Sequence, residues 1–120
     1  MNPAPALKPV RCRFDNCSSL TIARIVVAVV DQVAAEADAD MALLEALDDP
    51  ISVGFEALER TDIDTVEVSV VDDSLLIDID ITRDIADIES VFGNATDDVD
   101  TFFDIVLVRP DVVRLTGPLR

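Results

Sequence analysis

The sequence predicts an α+β fold, a two-layer sandwich with a mainly antiparallel sheet and helices packed on one of its faces. Three observations lead there. Residues 64–81, DTVEVSVVDDSLLIDIDI, alternate apolar and polar side chains on both sides of a short polar turn, the pattern of a β-hairpin with one face on a core. Residues 20–36 repeat apolar positions at three- and four-residue spacing, as an amphipathic helix does. The order of elements sets further helices beside that hairpin, and helices beside an antiparallel sheet pack as two layers.

Composition bounds the class. Half of the 120 residues are hydrophobic, which argues for a packed core and against disorder. A chain of this length buries about two-thirds of its unfolded surface as one domain. There is no His, so the commonest neutral-pH acid/base and the commonest metal ligand are both missing. The net charge is −16, from nineteen Asp and six Glu against eight Arg and one Lys. Phosphate backbones repel such a surface, so no nucleic-acid partner is expected. The charge serves solubility or suits a basic protein partner; an acidic DNA mimic in a basic groove is a minority reading. The N-terminus, MNPAPALKPV, has prolines where a secretory signal has an apolar run. The apolar stretch 22–30 is interrupted by Arg24 and too short to span a bilayer, so a cytoplasmic chain with no membrane association is expected. Cys12 and Cys17 lack the His or further Cys that would complete a zinc site and read as ordinary thiols.

In chain order, residues 1–9 hold three of the six prolines and read as a flexible tail before a single domain over 10–120. Val10–Phe14 is a short edge strand with Val10, Cys12 and Phe14 on one face. Ser18 or Ser19 caps the helix that runs from Leu20 to Glu36. Its apolar stripe is Ile22, Ile25, Val26, Val29, Val30 and Val33. After an acidic break at Asp38–Asp40, a second helix starts near Met41, with Leu43, Leu44 and Leu47 inward. Pro50 is poorly tolerated inside a helix, so Asp49 is read as an N-cap and Ile51–Arg60 as a kinked continuation or new helix carrying Ile51, Phe55 and Leu58 inward. Past the hairpin, Thr82–Phe92 has helical spacing and Phe92–Asp98, FGNATDD, reads as a flexible loop. Residues 99–108 fit a helix face through Phe102, Phe103, Val106 and Leu107, while IVLV alone suits a buried strand. Asp111–Thr116 is a closing strand, followed by a GPLR tail.

With the long helix at Leu20, the helical region at Leu43–Leu58, the TVEVSVVDDSLLIDIDI hairpin, a late FFDIVLVRP helix and the VVRLT strand, the chain resembles a small GHKL-type ATPase fold in its anti-sigma-factor serine-kinase form. The likeness runs from about Val10 to Thr116. The resemblance implies an acidic residue and, four positions on, an Asn that helps hold magnesium and phosphates. Here those positions are Asp49 and Val53. It also implies an Asp-x-Gly-x-Gly turn after the hairpin, where this chain reads DITRDIADIES, with Asp80 and Asp84 but no glycine. Glycines let backbone approach a nucleotide, and a carboxylate without the neighbouring amide cannot place magnesium for phosphoryl transfer. Only Gly54, Gly93 and Gly117 are present, with Gly93 in the candidate lid loop. The resemblance therefore implies a non-catalytic relative that has lost ATP, not an enzyme. It keeps a surface for a sigma factor, an antagonist domain or a second copy of itself. The apolar helix face at Val26–Val33 and the outer side of the hairpin are the two candidate dimer surfaces, although both also read as ordinary core.

No catalytic, cofactor-binding or metal residue is assigned. Asp49 as an N-cap is preferred to Asp49 as a general base. Asp78, Asp80 and Asp84 read as a solvated strand face in preference to a cation site. Asp97, Asp98 and Asp100 resemble part of a calcium loop without its downstream bidentate Glu. Ser52 and Thr96 have no nearby base. The PDVVRLTGPL ending also resembles a STAS-type antagonist domain, in which Ser74 would be the phosphorylated residue. The two long helices before the hairpin fit that alternative poorly.

Overall fold

The computed structural model describes residues 9–14, 18–37, 41–57, 63–72, 74–81 and 96–118. Its elements run β1 (Val10–Arg13), α1 (Ser19–Glu36), α2 (Met41–Ala57), β2 (Ile63–Val71), β3 (Ser74–Ile81), α3 (Thr96–Phe102), β4 (Asp104–Arg109) and β5 (Val112–Pro118). The strands form one five-stranded sheet in the order β1-β2-β3-β5-β4, every neighbouring pair antiparallel. This is the expected α+β two-layer sandwich. One core joins Ile22, Val26, Val30 and Val33 of α1, Leu47, Ile51 and Phe55 of α2, and Val99 of α3 to the strands. The strands contribute Val66 and Val68 of β2, Leu75, Ile77 and Ile79 of β3, and Val113 and Leu115 of β5.

The hairpin forms as its alternation dictates. Val66, Val68, Ile77, Ile79 and Ile81 are buried while Glu67, Asp78 and Asp80 are only partly covered. Asp72 in the turn has φ 50°, the left-handed region that Asp tolerates better than bulkier residues. Helix α1 begins where capping chemistry places it: the Ser18 side chain accepts the Thr21 N–H at 3.2 Å. Its many β-branched residues disfavour a helix in isolation, and burial of one whole stripe overrides that preference. The stripe is rotated from the expected one. Ala23 and Ala34 are buried, Val29 is half-buried and Ile25 is exposed. At about 100° per residue, Ile25 lies roughly 120° from the centre of the buried stripe.

Four expectations need correction. Asp49 is not an N-cap and no new helix starts at Pro50, because α2 is one helix with Pro50 inside it. An interior proline costs about 3 kcal/mol. Full burial of Leu47, Ile51 and Phe55 on the same helix, each worth about 1.5–3 kcal/mol, offsets that cost. The FGNATDD loop does not reach Asp98, since Thr96–Asp98 belong to α3, and residues 92–95 lie outside the described residues. The late FFDIVLVRP helix splits: α3 ends at Phe102 and DIVLVR is the edge strand β4, exposed and not buried. The GPLR tail begins within the sheet, because Gly117 and Pro118 pair with Leu75 and Ser74. The Thr82–Phe92 helix, the Asp38–Asp40 break, Leu58, Cys17 and residues 1–8 lie outside the described residues.

Gly117 occupies its place for a steric reason. A Cβ there would stand 2.9 Å from Cδ1 of the buried Phe103 ring and 3.1 Å from the Phe102 carbonyl oxygen. Neither the enclosed ring nor the backbone can yield freely. Gly117→Ala is expected to cost about 1–2 kcal/mol through overpacking, read as a lower melting temperature by circular dichroism. An unchanged melting temperature would show that the α3–β4 junction relaxes around the methyl group.

Candidate functional site

Helix α2 sets Ala46, Asp49, Pro50 and Val53 at i, i+3, i+4 and i+7, a single stripe on the side away from Phe55. Opposite it stand Thr101 and Phe102 at the end of α3, and the two walls enclose a groove of about 490 Å³. The groove is mostly apolar. Val53 is 38% exposed and Phe102 37%, while Asp49 supplies the one charged side chain among the described lining residues. The Thr101 hydroxyl donates to the Asp97 carbonyl at 2.8 Å, so it is engaged with its own helix. Pro50 has no N–H, so the usual bond from residue 50 to the Ala46 carbonyl cannot form within this stripe.

The structure thus brings together Asp49 and Val53, the two positions singled out by the resemblance, and adds Thr101 and Phe102, which the sequence did not suggest. Among the described lining residues there is no cation and no side-chain amide. The arrangement can seat an apolar side chain beside a positively charged or hydrogen-bond-donating neighbour. None of these described lining residues carries a cationic or amide group to grip phosphate oxygens.

Behind this stripe, α2 carries an acidic strain. Asp48 is half-buried, and its Oδ1 is enclosed without a hydrogen-bond partner among the described residues. Burial pushes its carboxyl up to about 6, helped by the charge of Asp31 on α1, by a side-chain hydrogen bond with Asp31, and by the charges of Asp49 and Glu45. Two carboxyl groups can share a hydrogen bond only if one holds a proton.

The open face of the sheet is a second cluster. Arg114 forks onto Asp78, with Nε donating to Oδ1 at 2.7 Å and Nη2 to Oδ2 at 3.1 Å. That hydrogen bond holds the Arg114 guanidinium above its ordinary pKa. Thr65 donates to Asp80 at 2.8 Å, and Arg11 reaches Asp80 at 3.4 Å in an exposed pair worth little by itself. With Glu67, Arg109, Val108 and Val112 these side chains line a polar hollow of about 280 Å³. Asp78 and Asp80 are therefore engaged with arginines and a threonine across neighbouring strands. Asp84 lies outside the described residues. No group of three or more His, Cys, Asp or Glu among the described residues is placed to hold a metal ion.

The remaining candidates do not converge. Ser52 is half-buried within α2, Asp97 and Asp100 are exposed on α3, and Ser74 opens β3 at the hairpin turn. Cys12 is a free thiol, half-buried against the core. Of the two expected dimer surfaces, Val26, Val30 and Val33 are in the core, and the outer side of the hairpin is the polar cluster. No helix among the described residues is long and apolar enough to cross a membrane. The sequence matches no family model, and no curated protein matches it.

Proposed function

We propose that this chain is a non-catalytic, cytoplasmic regulatory module that binds a protein partner without nucleotide, in the manner the resemblance to anti-sigma-factor kinases implies. One observation carries the reading. Asp49 and Val53 stand one turn apart in the α2–α3 groove, with an apolar valine where magnesium-dependent phosphate binding would require an amide. An apolar groove with an acidic rim suits a hydrophobic anchor flanked by Arg or Lys, and the −16 net charge favours encounter with a basic partner. A sigma factor or an antagonist domain is the proposed partner class. The two long helices between β1 and β2 weigh against the STAS-type alternative with Ser74 as a phosphorylation site.

The test is affinity capture of the tagged chain from its host lysate at moderate salt, with and without Mg-ATP, read by mass spectrometry. Equal recovery of a sigma factor or antagonist domain in both samples is expected, and Val53→Lys in the groove is expected to abolish it. In parallel, millimolar Mg-ATP is expected to leave the melting temperature unchanged. A ligand present at about 100 times its Kd would add about 2.7 kcal/mol to stability, so an upward shift of several degrees would overturn the nucleotide-independent reading.

A further inference from the structure

The two edges of the sheet are treated differently. Edge strands present unpaired N–H and C=O groups, and proteins blunt them by shortness, charge or proline. β1 is four residues long and carries Arg11 and Arg13. β4 is six residues long, and the four between its ends are Ile105, Val106, Leu107 and Val108. Val106 is 48% exposed, Leu107 38% and Val108 41%. With Phe102 these make four of the eight large apolar side chains exposed among the described residues, all within residues 102–108.

The ends of β4 carry opposite charges, Asp104 and Arg109, and neither makes an ion pair among the described residues. A bulge between Leu107 and Arg109 decides where those charges point. Without it, residues 104 and 109 would project from opposite faces. With it, Arg109 stands opposite Val112, which pairs with Asp80, while Asp104 stands opposite Thr116, which pairs with Leu76. Asp104 and Arg109 therefore share the open face of the sheet.

This pattern is complementary to itself. A two-fold axis normal to the sheet through Val106 sets Val106 opposite Val106 of a second copy. Ile105 then falls opposite Leu107, and Asp104 opposite the bulged pair Val108 and Arg109, each of these pairings occurring twice. Opposed residues in antiparallel strands project to one face, and the bulge makes that condition hold for all of them. We propose that β4 is a homodimerisation edge, at which two copies pair β4 with β4 antiparallel to form one continuous ten-stranded sheet, each five-stranded sheet supplying half. The pairing covers the exposed Val106 and Leu107, satisfies the edge backbone and neutralises both terminal charges. The paired residues, 104–109, are not in the lining of the α2–α3 groove, so the pairing stands or falls independently of the partner-binding reading.

Sedimentation equilibrium from about 1 to about 100 μM protein, a range wide enough to make a concentration-dependent dimer visible, is the test. The wild-type chain is expected to dimerise in that range. Arg109→Asp places like charges at both ends of the paired strands and is expected to weaken the dimer about tenfold or more. Combining Asp104→Arg with Arg109→Asp restores opposite charges at both ends and is expected to restore the dimer. Val106→Lys, which faces itself across the axis, is expected to yield monomer. All these positions are exposed, so unchanged far-ultraviolet circular dichroism is expected to accompany each result. Val53→Lys in the groove is expected to leave dimerisation intact. A wild-type chain that stays monomeric throughout would overturn the proposal, and so would a dimer indifferent to Arg109→Asp and Val106→Lys.

Discussion

Replacing Phe55 with alanine is expected to remove about 3–5 kcal/mol of folding stability, the usual cost of a large cavity at a buried aromatic position. Phe55 is fully buried, in the same core as Ile22, Leu47, Ile77 and Leu115. The sheet side of that core is fixed by strand pairing and cannot collapse onto the vacancy. Domains of this kind hold only about 5–15 kcal/mol in total, so the variant should sit near the edge of unfolding. Phe55→Leu keeps most of the apolar volume and is expected to lose less than about half as much. Val53, two residues earlier, points into the groove, and Val53→Ala should stay within about 0.5 kcal/mol of the parent. Urea denaturation of the three variants therefore separates the two sides of α2. Comparable losses at Phe55 and Val53 would mean that the helix is rotated from the orientation described.

What could be read from the sequence depended on whether the local pattern and the tertiary environment agreed. The hairpin was legible because one face of β2 and β3 meets the helices and the other meets solvent, so alternation survived intact. α1 was legible for the same reason at helical period, and only the angular centre of its stripe was misplaced, because buried Ala23 and Ala34 carry little hydrophobic signal. Pro50 was misread by applying a sound local rule that the packing of Leu47, Ile51 and Phe55 overrides. β4 was hidden for a different reason. Ile105 to Val108 are apolar on both sides of an edge strand, so no period distinguishes strand from helix, and Phe102 and Phe103 fit either one. The acidic residues of TDD masked the start of α3 as loop. Within the site, Asp49 and Val53 were found by position, whereas Thr101 and Phe102 enter the groove only through the packing of α3 against α2. Alternation predicted that Asp78 faces outward, but its bidentate contact with Arg114 required knowing that β3 and β5 are neighbours.

Asparagine at position 48 is expected to stabilise the chain at neutral pH, and the gain is expected to vanish in acid. In the folded state the Asp48 carboxyl titrates at about 6 against an ordinary 3.8, through burial first and then the nearby Asp31, Asp49 and Glu45. An acid whose folded pKa is raised binds its proton more tightly when folded. Between about pH 4 and 6 the folded state therefore holds the proton that the unfolded chain has released, and stability falls as pH rises through that window. Above 6 the full penalty applies. Two pH units correspond to about 3 kcal/mol, and partial exposure of the side chain reduces this to about 2 kcal/mol. Asp48→Asn removes the charge while keeping the shape and a donor for Asp31. A rise of several degrees in melting temperature at pH 7, absent at pH 4, is the expected result. Asp31→Asn relieves the same repulsion from α1 and should produce a smaller rise with the same pH dependence, and the two substitutions together should gain less than their sum because they remove one shared contact. A gain that persists unchanged at pH 4 would place its origin in packing or helix propensity. A loss at pH 7 would mean that Asp48 is held ionised by a partner, and the acidic contact between α1 and α2 would then be stabilising.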